Sequence, residues 1–346
     1  MPGQIASALN ALPQANAAQA LWMKLEGIFM PQGRRQREAY KERMTPGAAP
    51  ESLRFVHYTS AEAALNIIKS KRIWMRNTMC MSDYSEVQHG FSILEKFFRD
   101  KPKLVQFKEA LDTCMPGAAG EAIDRFNHWW ADIRLNTYIT SISEHDGQED
   151  LHGRLSMWRA FGGSTTRVAI VLNIPWLSES GDALHLLFSP VAYLTESETH
   201  AVIHEVISNV AANRDFLCSV DNETIINCVF NMLLAAVACL KHEGFHEERE
   251  WRAIYSPGRW SSDLMESAIE VVAGVPQRIY KIPLDESVSP TLHDLEFSRS
   301  FDRLIIGPSQ YAVPMCEAFH AALTEAGVPQ HTEKQRIFIS GIPIRS

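Results

Sequence analysis

The residues most able to do chemistry are concentrated in one stretch, HEGFHEEREWRAIY, which spans residues 242–255. Its first five letters fit H-E-x-x-H, in which two histidines on one helical face bind zinc and the glutamate acts as a general base. The letters that follow place Glu248 and Glu250 on one side of a strand, where paired carboxylates can bind a hydroxyl group and stabilise positive charge. The first chemistry requires a helix and the second requires a strand.

The zinc interpretation requires His242 and His246 on one face of a helix, together with a third ligand and an open coordination position. Gly244 would weaken that helix by about 1 kcal/mol relative to alanine. It also lies where the apolar helix predicted over about 222–242 should end. We therefore favour the strand and predict no metal site, with a zinc hydrolase as the lesser alternative.

In the strand interpretation, Glu248, Glu250 and Arg252 face one way, whereas Trp251 and Tyr255 face the other. Two carboxylates on one face can divide the work of a group transfer: one stabilises the reacting sugar and the other orients the incoming nucleophile. The structural alternative is an edge strand whose charged face is solvated and paired with neighbouring arginines.

The elements that would position these groups follow from periodicity. LRFVHY (53–58) alternates as a strand, Thr59 begins the capping box T-S-A-E of a helix, and RIWMRN (72–77) returns as a strand. His57 then lies near the end of the first strand, where side chains tend to face a site. NTYITSIS (136–143) is a further strand with a polar face.

Strands and helices are mixed in the remaining sequence without regular alternation, which is typical of an α+β fold. Helical segments are predicted around 86–132 and over about 222–242. The other predicted elements are a short helix at LSMWRAFGG, strands at 167–173, 278–284, 303–307 and 336–341, and a helix at 311–326.

A turn-rich break at 44–52 divides the chain into two predicted parts. Residues 1–50 would form an N-terminal helical extension, which is a candidate surface for a protein partner. Residues 51–346 would form the α+β domain, with a helical insertion around 175–245.

Net charge, cysteine spacing and the absence of some motifs argue against several classes of protein. The net charge of −8 argues against passive adhesion to nucleic acid or to an anionic membrane. The six cysteines are scattered without a C-x-x-C pair, and the N-terminus lacks a signal-peptide pattern, so we predict a cytoplasmic protein without a membrane span. Neither G-x-G-x-x-G after a strand nor a P-loop motif occurs, which excludes dehydrogenases and P-loop enzymes.

Several blocks resemble known families. HYTSAEAALNIIKSKRIWMRN, MSDYSE, SISEHDG, LSMWRAFGG, VAIVLN, FHEEREWR and RLIIGP occur in this order within 53–310 and resemble a bacterial family known as domain of unknown function 2971. His57, the Thr-Ser-Ile-Ser strand and the Glu-Arg-Glu turn also resemble the ordered motifs of ADP-ribosyltransferases. HYTSAEAALNIIKS is similar to the opening strand and helix of the DNA-modifying toxins of that group. The resemblance implies an ADP-ribosyltransferase-like split mixed sheet with flanking helices.

The same resemblance implies residue roles, with NAD as substrate. His57 would hydrogen-bond the adenosine-side ribose, Glu250 would bind the nicotinamide ribose and stabilise its oxocarbenium-like transition state, and Glu248 would guide the acceptor. Thr140 and Ser141 would shape the nicotinamide-ribose pocket and steady the acid. The predicted cofactor-binding set is completed by Tyr58 or Tyr138 as ring-stacking residues and by Thr59, Ser143 and Asp83. The motif departs from Ser-Thr-Ser, and more than a hundred residues separate it from the acidic pair.

These motifs lead us to expect an NAD-dependent ADP-ribosyltransferase that acts on a protein or a nucleic acid, as a toxin or defence effector. The alternative from a different class is a catalytically silent module, which would sense a nucleotide in the same cleft and engage a partner through the N-terminal helices. Arg154 and Arg159 either meet the pyrophosphate of NAD or are solvated. His145 and Asp146 would lie in a loop near the site.

Overall fold

The computed structural model describes residues 20–44, 53–80, 84–160, 166–175, 179–329 and 335–343. Within these ranges the chain forms a ten-stranded mixed sheet with flanking helices and a separate two-stranded parallel sheet. The α+β class predicted from the sequence is therefore confirmed. None of the helices in the described ranges is long and apolar enough to cross a bilayer.

The strands are β1 Leu53–Ser60, β2 Arg72–Asn77, β3 Tyr138–Glu144, β4 Arg167–Ile174, β5 Leu187–Pro190, β6 Ala192–Tyr193, β7 Leu240–Lys241, β8 Glu250–Tyr255, β9 Glu266–Val272, β10 Val275–Pro283, β11 Phe301–Ile306 and β12 Ile337–Ile339. The helices are α1 20–29, α2 Pro31–Met44, α3 Ala61–Ser70, α4 Tyr84–Arg99, α5 Lys101–Asp112, α6 Ala118–Asn136, α7 Leu155–Ala160, α8 Glu179–Ala183, α9 Glu196–Ala212, α10 Arg214–Leu217, α11 Asn222–Ala238, α12 Phe297–Ser300 and α13 Ala312–Glu325. The 3-10 helices span Thr78–Cys80, Gly147–Glu149, Glu243–Glu248 and Pro290–Leu295.

The chain divides into two compact units, each built from separate segments. The first unit combines Met1–Glu38, Ser85–Ala131 and Ala192–Glu243, and the second combines the rest of the chain. The predicted boundary near residue 50 lies outside the described residues, so the N-terminal extension stays a prediction.

The first unit is mainly helical and is organised around α11, whose apolar side chains are buried. Phe230 of α11 packs edge-on against Phe126 of α6, with ring centroids 5.8 Å apart. At Gly90 in α4, an added Cβ would lie 2.8 Å from the main-chain oxygens of Ala236 and Val237, so only glycine allows this close helix contact. Burial of the apolar helix faces against one another stabilises this unit.

The second unit contains the large sheet. β1 pairs with β4 along its whole length, and both strands are interior because β11 and β12 extend the sheet beyond β4. The main core lies on one face of this sheet, where Ile67 and Ile68 of α3 and Phe319 and Leu323 of α13 are buried. A smaller core on the opposite face includes Trp158 of α7.

The helix α3 begins one residue later than the sequence predicted. The strand β1 continues through Thr59, and Ser60 is the N-cap, since its side chain accepts a hydrogen bond from the amide of Ala63 at 3.1 Å. The capping role predicted for Thr59 is therefore wrong. The strand–helix–strand order of β1, α3 and β2 is confirmed.

The strand β3 has one complete edge and one interrupted edge. On the complete edge, β8 pairs with every residue from Tyr138 to Ser143. On the other edge, β2 pairs with Tyr138 and Ile139, whereas β1 pairs with Ser143 and Glu144. Residues 140–142 lie between these two ladders, at the point where β1 and β2 separate. The sheet is therefore split along this edge of β3.

Two predicted element boundaries are corrected. The helix α11 ends at Ala238 rather than near 242, because Leu240 and Lys241 form a strand that pairs with Ala192 and Tyr193. The strand β8 begins at Glu250 rather than at Glu248.

Candidate active site

His57 of β1 lies at the split in the sheet. Its Nδ1 is 3.0 Å from the main-chain oxygen of Ser141, a residue on the interrupted edge of β3. Because a carbonyl oxygen can only accept, Nδ1 carries the proton and donates it. The imidazole N–H thus replaces the main-chain N–H that a paired neighbouring strand would donate to this carbonyl oxygen.

The tautomer of His57 leaves a defined acceptor. Burial lowers the pKa of His57 below its ordinary value, and the hydrogen bond to Ser141 opposes this shift only in part. A neutral ring with the proton on Nδ1 has a lone pair on Nε2. None of the described residues hydrogen-bonds to Nε2, and the side chain is half-buried. Nε2 can therefore accept a hydrogen bond from a ligand hydroxyl.

Glu250, the first residue of β8, contacts the side chain of the same serine. Ser141 Oγ donates to Glu250 Oε1 at 2.5 Å. Arg252 donates from Nε to Oε1 at 2.7 Å and from Nη2 to Oε2 at 3.3 Å. Glu250 is only 5% exposed and Arg252 only 2%. A carboxylate so buried stays charged when a cation is beside it, so Arg252 and Glu250 form a buried ion pair.

His57 and Glu250 reach Ser141 from different faces of the sheet. Glu250 alternates along β8 with Trp251, whose indole ring packs 5.1 Å from the ring of Phe55. His57 lies two residues after Phe55 on β1 and so leaves the strand on the Phe55 face. The imidazole bonds the main chain of Ser141, whereas the carboxylate bonds its side chain. A ligand that touches both groups must pass through the split.

The segment before Glu250 corrects the predicted pair of carboxylates. Glu243–Glu248 is a 3-10 helix, and Arg249 has a φ of 43°, in the left-handed region. The main chain therefore turns at Arg249, and the alternation of β8 does not extend back to Glu248. Glu248 lies in the turn, next to the strand that carries Glu250 but not on its face.

Arg154, the residue before α7, holds this turn. Its Nη1 donates to the carbonyl oxygens of Glu247 and Glu248, both at 2.9 Å, and its Nη2 donates to that of Glu144 at 2.7 Å. Its Nε donates to the carboxylate of Glu149 at 2.7 Å. The side chain is thus neither solvated nor, as the other prediction had it, directed at a pyrophosphate. It fastens the turn to the end of β3.

A second buried carboxylate, Glu144, lies at the end of β3 on the face that carries Trp251. It accepts a hydrogen bond from Trp251 Nε1 at 3.1 Å and pairs with Arg43. Burial raises the pKa of Glu144, although the Trp251 hydrogen bond and the charge of Arg43 oppose the shift. Phe55 lies opposite it in the ladder between β1 and β3, and Trp251 belongs to the same core cluster as Phe55 and Tyr40. This carboxylate belongs to the core rather than to the split.

The loop after β3 supports this arrangement. His145 is fully buried, and its Nε2 lies 2.9 Å from Asp150 Oδ1. Burial and the nearby charge of Arg54 lower the pKa of His145, and Asp150 opposes them. Asp146 pairs with Arg249 in the turn before β8. The loop predicted to lie near the site therefore does so, through contacts that position the turn.

The two tyrosines proposed to stack on nicotinamide are packed in the protein. Tyr138 is 3% exposed in the main core, with its ring 4.6 Å from that of Tyr280. The hydroxyl of Tyr58 accepts a hydrogen bond from the amide of Arg154 at 2.7 Å, and its ring packs edge-on against Trp158. The stacking role predicted for them is not supported, because neighbouring side chains cover both rings.

The remaining residues of the predicted cofactor-binding set are buried, half-buried or outside the described residues. Ser143 is buried and lies opposite Glu250 in the ladder between β3 and β8. Thr140 is buried on β3, and Thr59 is half-buried near the end of β1. Asp83 lies outside the described residues. The binding roles of these residues stay predictions.

Residues 242–246 do not form the α-helix that the zinc interpretation requires. His242 follows β7, and His246 lies in a 3-10 helix, where residues four apart do not share a face as they do in an α-helix. Across the described ranges, no group of three or more His, Cys, Asp or Glu side chains is placed to hold a metal ion. The H-E-x-x-H match therefore carries no zinc-protease geometry.

The roles of two residues of the site were not predicted from the sequence. Arg252 stands two residues after Glu250, a spacing that places both on one strand face and was a usable signal. Arg154 had no comparable signal, because most of its partners are main-chain oxygens, two of them more than ninety residues away.

Comparison with known proteins gives one partial match. Residues 157–253 match the model of a family described as "Protein of unknown function (DUF2971)". The match includes β4 and Glu250 but ends before the C-terminal part of the sheet, and it does not reach His57 or Ser141. Searches among curated proteins and among solved structures found no match.

Proposed function

We propose that this protein is an ADP-ribosyltransferase with a split sheet of the kind found in that group, which cleaves NAD and transfers ADP-ribose to a macromolecule. The single observation that carries the proposal is that His57 and Glu250 both bond Ser141 at the split, one through its main chain and the other through its side chain. The resemblance to ADP-ribosyltransferases implies that such a hydrogen-bond acceptor and an anchored carboxylate bind the two riboses of NAD.

Glu250 would act on the nicotinamide ribose. The glycosidic bond between C1′ of this ribose and the nicotinamide nitrogen breaks, and its electron pair leaves with nicotinamide. Positive charge then develops on the ribose, and the carboxylate stabilises it through hydrogen bonding to the ribose hydroxyl and through its own charge. The acceptor forms a new bond to C1′ and loses a proton. Ser141 would hold the carboxylate in place throughout.

His57 would bind the adenosine-side ribose. Its Nε2 lone pair can accept from a ribose hydroxyl, and the lowered pKa keeps the ring neutral at physiological pH. Because the imidazole and the carboxylate lie on different faces, NAD would lie through the split between β1 and β2. The acceptor, a protein or a nucleic acid, would approach by the turn that contains Glu248.

The test is release of nicotinamide from NAD by the purified protein, followed by transfer of labelled ADP-ribose to a cell lysate. The wild type should release nicotinamide, and Glu250→Gln should not, while circular dichroism at the assay temperature shows that both are folded. Glu247→Gln is the matched control, since Glu247 is an exposed carboxylate in the adjoining turn. Equal turnover by wild type and Glu250→Gln would rule out this mechanism.

A second candidate is a nucleotide-binding module without catalytic turnover. The Arg252–Glu250 ion pair favours it, because a neighbouring guanidinium offsets the negative charge that would stabilise a sugar cation. In that case the unfolding temperature should rise with the logarithm of NAD concentration once the site is mostly occupied, with no nicotinamide produced. Nicotinamide release by the wild type would reject this candidate.

A further inference from the structure

We infer that Arg252 is a positioning residue that keeps Glu250 ionised and fixes the rotamer in which Glu250 meets Ser141. The inference rests on the proposed function for its catalytic meaning. The geometry behind it is direct: Nε of Arg252 and Oγ of Ser141 donate to the same carboxylate oxygen, Oε1, at 2.7 and 2.5 Å. Two donors from different strands thereby fix the direction of the carboxylate.

Burial makes the cation necessary. Glu250 and Arg252 are both almost completely removed from solvent, so water contributes little to stabilising the carboxylate charge. Ser141 supplies a neutral hydroxyl, which cannot replace a positive charge. Without the guanidinium, proton uptake by Glu250 would be favoured, and a protonated acid cannot stabilise a developing sugar cation.

Other charged groups near Glu250 have partners of their own. Arg249, in the turn, pairs with Asp146. Arg154, the residue before α7, pairs with Glu149 and donates its remaining hydrogens to main-chain oxygens. On β1, the lowered pKa of His57 leaves that ring neutral near pH 7. On β5, the residue opposite Arg252 is an uncharged serine. Arg252, by contrast, is bonded directly to the Glu250 carboxylate.

The test combines two measurements on wild type, Arg252→Gln and Arg252→Lys. Selective carbon-13 labelling of glutamate allows Glu250 to be titrated by NMR, with Glu250→Gln identifying its signal. The pH profile of nicotinamide release gives the second readout. In Arg252→Gln the Glu250 pKa should rise by about one unit or more, a roughly tenfold gain in proton affinity, and the acid limb of activity should shift by the same amount.

Arg252→Lys separates charge from geometry. It keeps the positive charge and loses the planar fork, so the acid limb should stay near its wild-type position while kcat falls and the KM for NAD changes little. This variant also decides the matter if Arg252→Gln does not fold, because a wild-type kcat in Arg252→Lys would overturn the inference.

An unchanged Glu250 titration in Arg252→Gln would likewise overturn it. The NMR arm does not depend on turnover. A wild type that releases no nicotinamide would therefore refute the proposed function, while the titration still decides whether Arg252 controls Glu250.

Discussion

Two glutamates at the junction of β3 and β8 are buried to the same degree but lie in different surroundings. Glu144 is 6% exposed and Glu250 is 5% exposed, and each has an arginine and a second hydrogen-bond donor as partners. Glu144 receives its second hydrogen bond from Trp251, within an aromatic cluster. Glu250 receives its own from Ser141, at the split.

The surroundings of these carboxylates distinguish one that lies within the core from one that lies at the split. Glu144 lies at a corner where β1 and β3 are still paired, and its neighbours are packed rings. Glu250 is hydrogen-bonded to the side chain of Ser141. The main-chain oxygen of Ser141 accepts a hydrogen bond from the His57 imidazole, at the point where strand pairing is interrupted. Burial and ion pairing alone do not distinguish the two. The interruption of pairing does.

The largest expected effect is the difference in turnover between removing the Glu250 charge and removing the Glu144 charge. Glu250→Gln should lower nicotinamide release by about a hundredfold or more, the order observed when one charge-stabilising group is lost from an active site. Glu144→Gln should keep turnover within a few-fold of wild type, because its side chain lies among core residues. Parallel kcat measurements test the contrast, and a larger loss in Glu144→Gln would reverse it.

Ser141→Ala should have the next largest effect. It removes a hydrogen bond to a charged group, worth about 1.5–3 kcal/mol, so kcat should fall by roughly ten- to a hundredfold. The Arg252 ion pair remains, so the protein should still fold. Ser189→Ala on β5 is the matched control, since the Ser189 hydroxyl donates to a main-chain oxygen and not to Glu250. Equal kinetics for the two alanine variants would remove Ser141 from the account.

His57→Ala should act mainly on binding. Loss of a ribose hydrogen bond should raise the KM for NAD by about tenfold and alter kcat less. His246→Ala, at an exposed position in the turn, should leave KM unchanged. A drop in kcat without any change in KM would show that His57 does not hold the adenosine ribose.

The pH dependence of KM should reflect the neutral state of His57. Burial lowers the folded-state pKa below 6.5, so the Nε2 acceptor is present from neutral pH down through 6.5 and is lost only at lower pH. KM should therefore be constant over the upper range and rise below it. A rise in KM that begins above 6.5 would contradict the assigned tautomer.

The smallest effect concerns stability. The folded-state pKa of Glu144 is raised above 4.5, so its contribution to stability is full below 4.5 and is lost as pH rises through the folded value. Glu144→Gln removes this titration. Its stability should therefore improve relative to wild type as the pH rises through the folded-state pKa of Glu144. Thermal unfolding of both proteins across this range checks the sign, and a steady relative loss would contradict it.

Much of the fold around the site could be predicted because it depends on local pattern. The alternation in LRFVHY and the helical spacing after it indicated β1 and α3, and the apolar run from Arg167 indicated a buried strand. The order of His57, the strand containing Ser141, and Glu250 was also readable. These features depend on the periodicity of apolar and polar side chains, which can be read from a single sequence.

The rest depends on tertiary pairing, which no local pattern records. The left-handed Arg249 separates Glu248 from the strand, although the sequence alternates through this point without a break. Tyr138 is a β-favouring residue that fits a core as well as a ligand site, and packing decided between them. The split itself depends on how far β1 and β2 each pair with β3, a length that only the folded chain defines.

The most direct test of the central claim is a crystal structure of Glu250→Gln grown with NAD. This variant should bind NAD without cleaving it. We predict NAD bound through the split, with an adenosine-ribose hydroxyl at His57 Nε2 and the nicotinamide ribose beside residue 250 and Ser141. NAD bound elsewhere, or a split filled by side chains with no room for a ribose, would contradict the account.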